Sequence, residues 1–266
     1  MSSRLHVISR REPSVAPKEP ILTINDLDLV FEYNSSYLTV LKDIRFAVHP
    51  AEILCLLGPS GCGKTTLLKV LAGFMRPSSG QVLVHGNQVT APGPERCVVF
   101  QEDALFPWLT VAENIAFGLK GKGFRRRQQK EMVDYYLSLV GLTAFSSYLP
   151  TKISGGMKQR VSLARVLILK PEILLMDEPF AALDAQTRQE MQQLLLELWE
   201  TLSHTIVFVT HDVREAVTLA DRVIMMDKNP GRVKGIVDID LERPRDVDGQ
   251  PFLKQCASLH DLLRDT

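Results

Sequence analysis

Residues Glu52 to Phe74 read EILCLLGPSGCGKTTLLKVLAGF. The run ILCLL is apolar throughout and ends at a glycine, which is the signature of a short strand buried on both faces. KTTLLKVLAGF follows with apolar residues at helical spacing and a glycine near its end. Between them, Gly58-Pro59-Ser60-Gly61-Cys62-Gly63-Lys64-Thr65 fits G-x-x-x-x-G-K-[ST], and Thr66 continues it. Each residue type has a physical task. The glycines let backbone N–H groups curl around phosphate oxygens without side-chain clashes. Lys64 has the reach for β- and γ-phosphates, and the Thr65 hydroxyl suits Mg²⁺. The following helix points its positive end at the anion. Cys62 is either a redox-active thiol or a small residue that fits the loop; reactivity requires a lowered pKa.

The chain around this segment alternates in character. ILTINDLDLVF and VLKDIRFAV precede it as strands, and QVLVHGNQV follows as two strand pieces with a turn. CVVFQ reads as another buried strand. From Glu102 to about Arg165 the pattern is helical. EILLMDE, TIVFVTH and RVIMMD restore the strand signal, with VREAVTLA helical between the last two. Gln186 to Leu202 is amphipathic, with Met191, Leu194, Leu195, Leu198, Trp199 and Leu202 on one face. Strands alternating with helices predict an α/β fold around a mostly parallel sheet.

Composition narrows the function. Lys plus Arg equals Asp plus Glu at 31 each, so the basic excess of a nucleic-acid binder is absent. No run of about 18 apolar residues predicts a membrane-spanning helix, and the N-terminus carries no apolar leader. Cys55, Cys62, Cys97 and Cys256 have neither the density of a disulfide framework nor metal-ligand spacing. The expectation is a reduced, cytoplasmic protein that reaches a membrane only through a partner. The basic stretch KGKGFRRRQQK is either a solvated helix face or a contact for anionic lipid or nucleic acid; the first is the commoner use of such runs.

Polar residues gather where strands end. ILLMDEP places Asp177 and Glu178 after four apolar residues. In open α/β sheets ligands collect at the carboxyl ends of strands, where one carboxylate holds Mg²⁺ and its neighbour polarises water. His211 ends TIVFVTH and Gln101 ends CVVFQ in the same manner. A second helix start, ISGGMKQR at Ile153 to Arg160, also has the small residues of an anion site. Two such starts in one chain call for an explanation.

Taken in order, these segments resemble the ATP-binding subunit of an ABC transporter, over roughly residues 21–241. GPSGCGKTT resembles the family's phosphate loop, Gln101 the glutamine that joins core and helical subdomain, and ISGG the signature loop. ILLMDEP resembles the acidic strand, AALD ending at Asp184 the next loop, and His211 the switch histidine. The resemblance implies a RecA-like P-loop core, an antiparallel β subdomain and a helical subdomain inserted at about residues 102–165. Tails are expected at residues 1–20, as a mobile segment, and 242–266.

It further implies ATP and Mg²⁺ as cofactors. Glu178, His211, Lys64 and Gln101 are then catalytic, and Thr65, Gln101 and Asp177 hold the metal. Adenine stacks on an upstream aromatic, for which Phe31 matches best and Tyr33 and Tyr37 are alternatives. The two helix starts are reconciled by a head-to-tail homodimer with two sandwiched ATPs. Ser154, Gly155 and Gly156 meet the γ-phosphate held by Lys64 of the other subunit, and Asp184 lies beside them. The sequence departs from the usual signature at Ile153 and Met157, where leucine and glutamine are common, with the serine and glycines intact.

FQEDALFPWLTVAENIAFGL and APGPERCVVFQ resemble the nitrate, sulfonate and taurine importer class. There Pro107 and Trp108 either shape a socket for a permease helix or belong to the core. Sugar importers of the family carry a further C-terminal domain of about a hundred residues, for which this chain is too short. The expected partners are integral-membrane permease subunits and, indirectly, an extracytoplasmic solute-binding protein. No nucleic acid is expected. The expected location is peripheral, on the cytoplasmic face of the plasma membrane. The competing reading is a soluble ABC ATPase acting on another macromolecule.

Overall fold

The computed structural model describes residues 19–33, 36–100 and 105–264. The expected N-terminal tail up to residue 18, and Gln101, lie outside these residues. Two sheets organise the chain. β1 (Leu22–Tyr33), β2 (Ser36–Val48), β4 (Ser79–Val84) and β5 (Asn87–Gln88) form an antiparallel sheet in the order β2-β1-β4-β5. β3 (Ile53–Leu57), β6 (Arg96–Val99), β7 (Ile173–Asp177), β8 (Thr205–Thr210), β9 (Arg222–Asp227) and β10 (Arg232–Asp238) form the other, in the order β10-β9-β3-β8-β7-β6. Every pairing from β9 to β6 is parallel, and β10 runs antiparallel at the edge.

Parallel strands need crossover connections, and the helices supply them. These are α1 (Lys64–Leu71), α2 (Val111–Ala116), α3 (Arg126–Leu139), α4 (Gly155–Leu167), α5 (Ala185–Leu202), α6 (Val213–Leu219) and α7 (Gln250–Arg264). The apolar runs noted in the sequence are explained by burial on both sides. Successive strand side chains point to opposite faces. Cys55, Leu57, Leu174, Met176, Ile206 and Phe208 join one core, with α2 to α7. Leu54, Leu56, Leu175, Val207 and Val209 join the other, with α1 and the antiparallel sheet. A fully buried side chain of this kind contributes about 1.5–3 kcal/mol. The lead helix α1 and the helix of the ISGG segment, α4, therefore lie on opposite faces of one sheet.

Helix ends follow local chemistry. Thr110 and Glu113 close a capping box on α2. Ser154, Asp184 and Asp212 cap α4, α5 and α6, each accepting backbone N–H bonds. The amphipathic face read in the sequence is the buried face of α5: Met191, Leu194, Leu195 and Leu198 are buried, and Trp199 and Leu202 pack beside them. The segment after residue 241, expected as a tail, is not one. Most of it is helix α7, which buries Phe252, Cys256 and Leu259 against α6.

Candidate active site

The sheet order brings the polar strand ends together. Because β9, β3, β8, β7 and β6 are consecutive neighbours running the same way, their carboxyl ends form one edge. Gly58 leaves β3 there, Asp177 and Glu178 leave β7, and His211 leaves β8.

The phosphate loop rests on a platform that its own sequence does not contain. Gly63 caps α1 with φ 97°, a conformation that favours glycine. A Cβ there would also come within 2.7 Å of Leu41 Cδ2. Gly231, after β9, lies flat against β2: its N–H donates to the Val40 carbonyl at 2.9 Å and its carbonyl accepts from the Lys42 N–H at 2.9 Å. Directly above it is the Cys62 carbonyl, 2.2 Å from where a Gly231 Cβ would sit. Inside the loop, Lys64 is buried and its ammonium donates to the carbonyls of Gly58 at 2.7 Å and Pro59 at 3.0 Å. Cys62 is buried, and burial pushes its thiol above the ordinary range. This is the environment of an inert cysteine and not of a reactive one.

The Thr65 hydroxyl donates to Asp177 Oδ1 at 2.8 Å. Burial holds the Asp177 carboxyl above the ordinary carboxylate range; the Thr65 bond opposes this, and the neighbouring Glu178 charge adds to it. A half-buried carboxylate in this position gains from a positive partner. A hydroxyl and a carboxylate are hard oxygen donors that fit Mg²⁺. Among the described residues no three His, Cys, Asp or Glu side chains gather as metal ligands. A cation held here would draw its remaining ligands from phosphate and water, as Mg²⁺ usually does.

Glu178 takes φ 43°, a left-handed conformation that costs a non-glycine residue about 1–3 kcal/mol. Its N–H still donates to the Val209 carbonyl at 3.1 Å, so the strain sits where the chain leaves the sheet. Phe180, buried two residues on, anchors the turn. Glu178 Oε2 lies 3.4 Å from Nδ1 of the exposed His211. Two pairs thus lie along the edge where the phosphate loop leaves β3: Thr65 of that loop with Asp177, and Glu178 with His211.

The other expected residues lie elsewhere. Ser154 and Gly155 are exposed at the start of α4, where Ser154 Oγ accepts from the Met157 N–H at 3.3 Å. Among the described residues no hydrogen bond joins this segment to the phosphate loop. Gly156 faces α5: a Cβ would meet Thr187 Cγ2 at 2.6 Å. Asp184 accepts from the Thr187 N–H at 3.0 Å and its hydroxyl at 2.7 Å. Phe31, 38% exposed, and Tyr37, 75% exposed, sit on the paired strands β1 and β2. Trp108 is 72% exposed, which removes the core alternative; its ring packs on Phe106 at 5.6 Å.

A family model described as "ABC transporter" matches residues 41–181, more than half of the chain. The chain belongs to the ABC transporter family. It is an ATP-binding ATPase subunit. The nitrate import ATP-binding protein NrtD of Synechocystis sp. is 42% identical, over 91% of this chain and 95% of its own. The taurine import ATP-binding protein TauB of Roseobacter denitrificans is 46% identical, over 80% of each. Among solved structures, the dimeric MJ0796, a bacterial ABC transporter cassette, superposes with a TM-score of 0.72 at 27% identity, covering 82% of this chain and 98% of that one. The ABC architecture read from the sequence, with its parallel core and antiparallel sheet, is the one found. Among the described residues no helix is long and apolar enough to cross a membrane.

Proposed function

We propose that this ABC ATPase subunit powers uptake of a small oxoanion, such as a sulfonate, taurine or nitrate. It works as a homodimer on the cytoplasmic face of the membrane, bound to separate permease subunits that receive solute from an extracytoplasmic binding protein. The observation that carries the catalytic part is that Thr65–Asp177 and Glu178–His211 lie at the neighbouring carboxyl ends of β3, β7 and β8. The importer part is supported by the likeness to NrtD and TauB over most of the chain.

Thr65 and Asp177, with Gln101, hold Mg²⁺, which screens phosphate charge when bound. Glu178 polarises the attacking water. Lys64 and His211 stabilise charge growing on the γ-phosphate. Phe31 stacks on adenine. Ser154, Gly155 and Gly156 serve the ATP of the partner subunit, with Asp184 beside them. The placement of α1 and α4 on opposite sheet faces favours this division. The exposed Trp108 and its neighbour Phe106 form the socket for a permease helix.

The test is a pull-down of the tagged chain from gently solubilised native membranes, with partners identified by mass spectrometry. A multi-span permease is expected, and its identity narrows the solute. Recovery of soluble partners alone would overturn the importer reading and leave the ATPase standing.

A further inference from the structure

His211 is exposed, yet the backbone on either side of it is fixed from beneath. Thr210 is buried at the end of β8 and Glu215 is buried in α6. The Thr210 hydroxyl donates to Glu215 Oε2 at 2.6 Å and accepts from the Asp212 N–H at 3.0 Å. One hydroxyl therefore bridges the two residues that flank His211. Asp212 Oδ1 in turn accepts from the N–H groups of Arg214 at 2.7 Å and Glu215 at 3.3 Å. Strand end, switch residue and helix start are closed into one unit.

Arg188, in the first turn of α5, extends this unit. Its Nη2 donates to the Leu183 carbonyl at 3.1 Å, one residue before Asp184. Its Nε lies 3.7 Å from Glu215 Oε1, and its Nη1 lies 3.9 Å from Asp212 Oδ2. A buried carboxylate is costly unless it is hydrogen-bonded and paired. Glu215 meets both conditions only with Thr210 and Arg188 in place, and burial raises its carboxyl above the ordinary range even so. An arrangement with this cost invites a task beyond packing.

We propose that Thr210 and Glu215 are positioning residues for His211, and that Arg188 ties them to the loop carrying Asp184. This rests on the reading of His211 as a group that stabilises charge on the γ-phosphate. Such a group works within a narrow geometry, and a displacement of about 1 Å costs about 100-fold in rate. Because the effect falls on the transition state, kcat carries it and the KM for ATP does not.

The test is steady-state hydrolysis by the full chain, with a thermal melt for each variant. Thr210→Val keeps the shape and removes the hydroxyl; Thr210→Ser keeps the hydroxyl. The expected result is a kcat lower by about tenfold or more for Thr210→Val, with KM within about twofold, and rescue by Thr210→Ser. In a His211→Ala background, followed by single turnover with enzyme in excess, Thr210→Val is expected to add nothing. Should Thr210→Val melt far below the wild type, Glu215→Leu, which keeps similar size and removes the acceptor oxygen, carries the same test. If His211→Ala hydrolyses ATP like the wild type, the reading of His211 falls. If His211→Ala is impaired while Thr210→Val is not, or if the two losses add, the positioning role falls and His211 keeps its own.

Discussion

Gly231→Ala is the substitution whose consequence the structure specifies most closely. The new Cβ would lie 2.2 Å from the Cys62 carbonyl oxygen and 2.9 Å from that of Val40. Relief to 3.0 Å needs a shift of about 0.8 Å. Both neighbours are backbone, so no rotamer change absorbs it. The Gly231 amide and carbonyl are each bonded to β2, so retreat breaks two hydrogen bonds worth about 1 kcal/mol apiece. The other way out is to push Cys62 and Gly63 toward the phosphates. Overpacking of this kind costs about 1–3 kcal/mol, and each kcal/mol lowers Tm by about 2–4 °C in a chain of this size. A loop displaced by nearly 1 Å loses on the order of 100-fold in kcat/KM. The assay is nucleotide binding by calorimetry, hydrolysis kinetics and a melt, against Gly235→Ala as control, whose Cβ meets nothing within 4 Å. Wild-type affinity, turnover and melting in Gly231→Ala would refute the reasoning. A lowered melt with unchanged ATP affinity would show that the turn absorbs the contact and that Gly231 does not set the loop.

Glu178→Gln is expected to slow hydrolysis by at least about 100-fold, while ATP-driven dimerisation, read by size-exclusion chromatography, survives or strengthens; undiminished turnover removes Glu178 from its role. Asp177→Asn addresses pH. The folded carboxyl is raised by burial, so in the window between the unfolded value and the higher folded one the folded chain binds more protons. This contribution to stability is complete below the unfolded pKa and is lost as pH rises through the folded one. Nucleotide-free Asp177→Asn should thus melt above the wild type at pH 7, with the gap closing toward pH 4, although it hydrolyses little ATP. A wild type that melts higher at pH 7 contradicts the assigned cause. Trp108→Ala should leave ATP turnover of the isolated chain and its melt unchanged, since the ring is largely exposed, and should reduce permease recovery in the pull-down. Full recovery would move the socket elsewhere.

The legible and the illegible parts of this molecule differ in kind. The phosphate loop, the acidic strand and the strand–helix alternation were readable because each is set by neighbours in sequence. An apolar run doubly buried in a parallel sheet declares itself, and so does a glycine loop between strand and helix. Helix α7 has a local signal too: Phe252, Cys256, Leu259 and Leu263 recur at helical spacing. Gly231 under Cys62, and Gly156 against Thr187, were not readable, since each contact depends on how distant segments pack. Glu215 had a sequence trace in its spacing from Thr210. Only burial and the 2.6 Å bond distinguish it from a solvated helix residue.

The same contacts bear on why one chain carries two helix starts proposed to bind phosphate. The first turn of α5 touches three functional segments. Its cap is Asp184, and Thr187 packs against Gly156 of the ISGG loop. Arg188 reaches the Glu215–Asp212 unit under His211. Thr187 is itself held by two bonds to Asp184, so these side chains cannot move independently. If His211 attends the ATP of its own chain and Gly156 that of the partner, a few residues of one helix connect the two nucleotides. A shift of α5 transmitted between Gly156 and Thr187 must also move Arg188, and with it the support of His211. Packed elements shift as units and do not deform smoothly. Such a connection gives each site of a dimer a physical means of registering the other's γ-phosphate. It needs no contact between the two nucleotides, because the link runs from Gly156 through residues 184–188 to the Glu215–Asp212 unit.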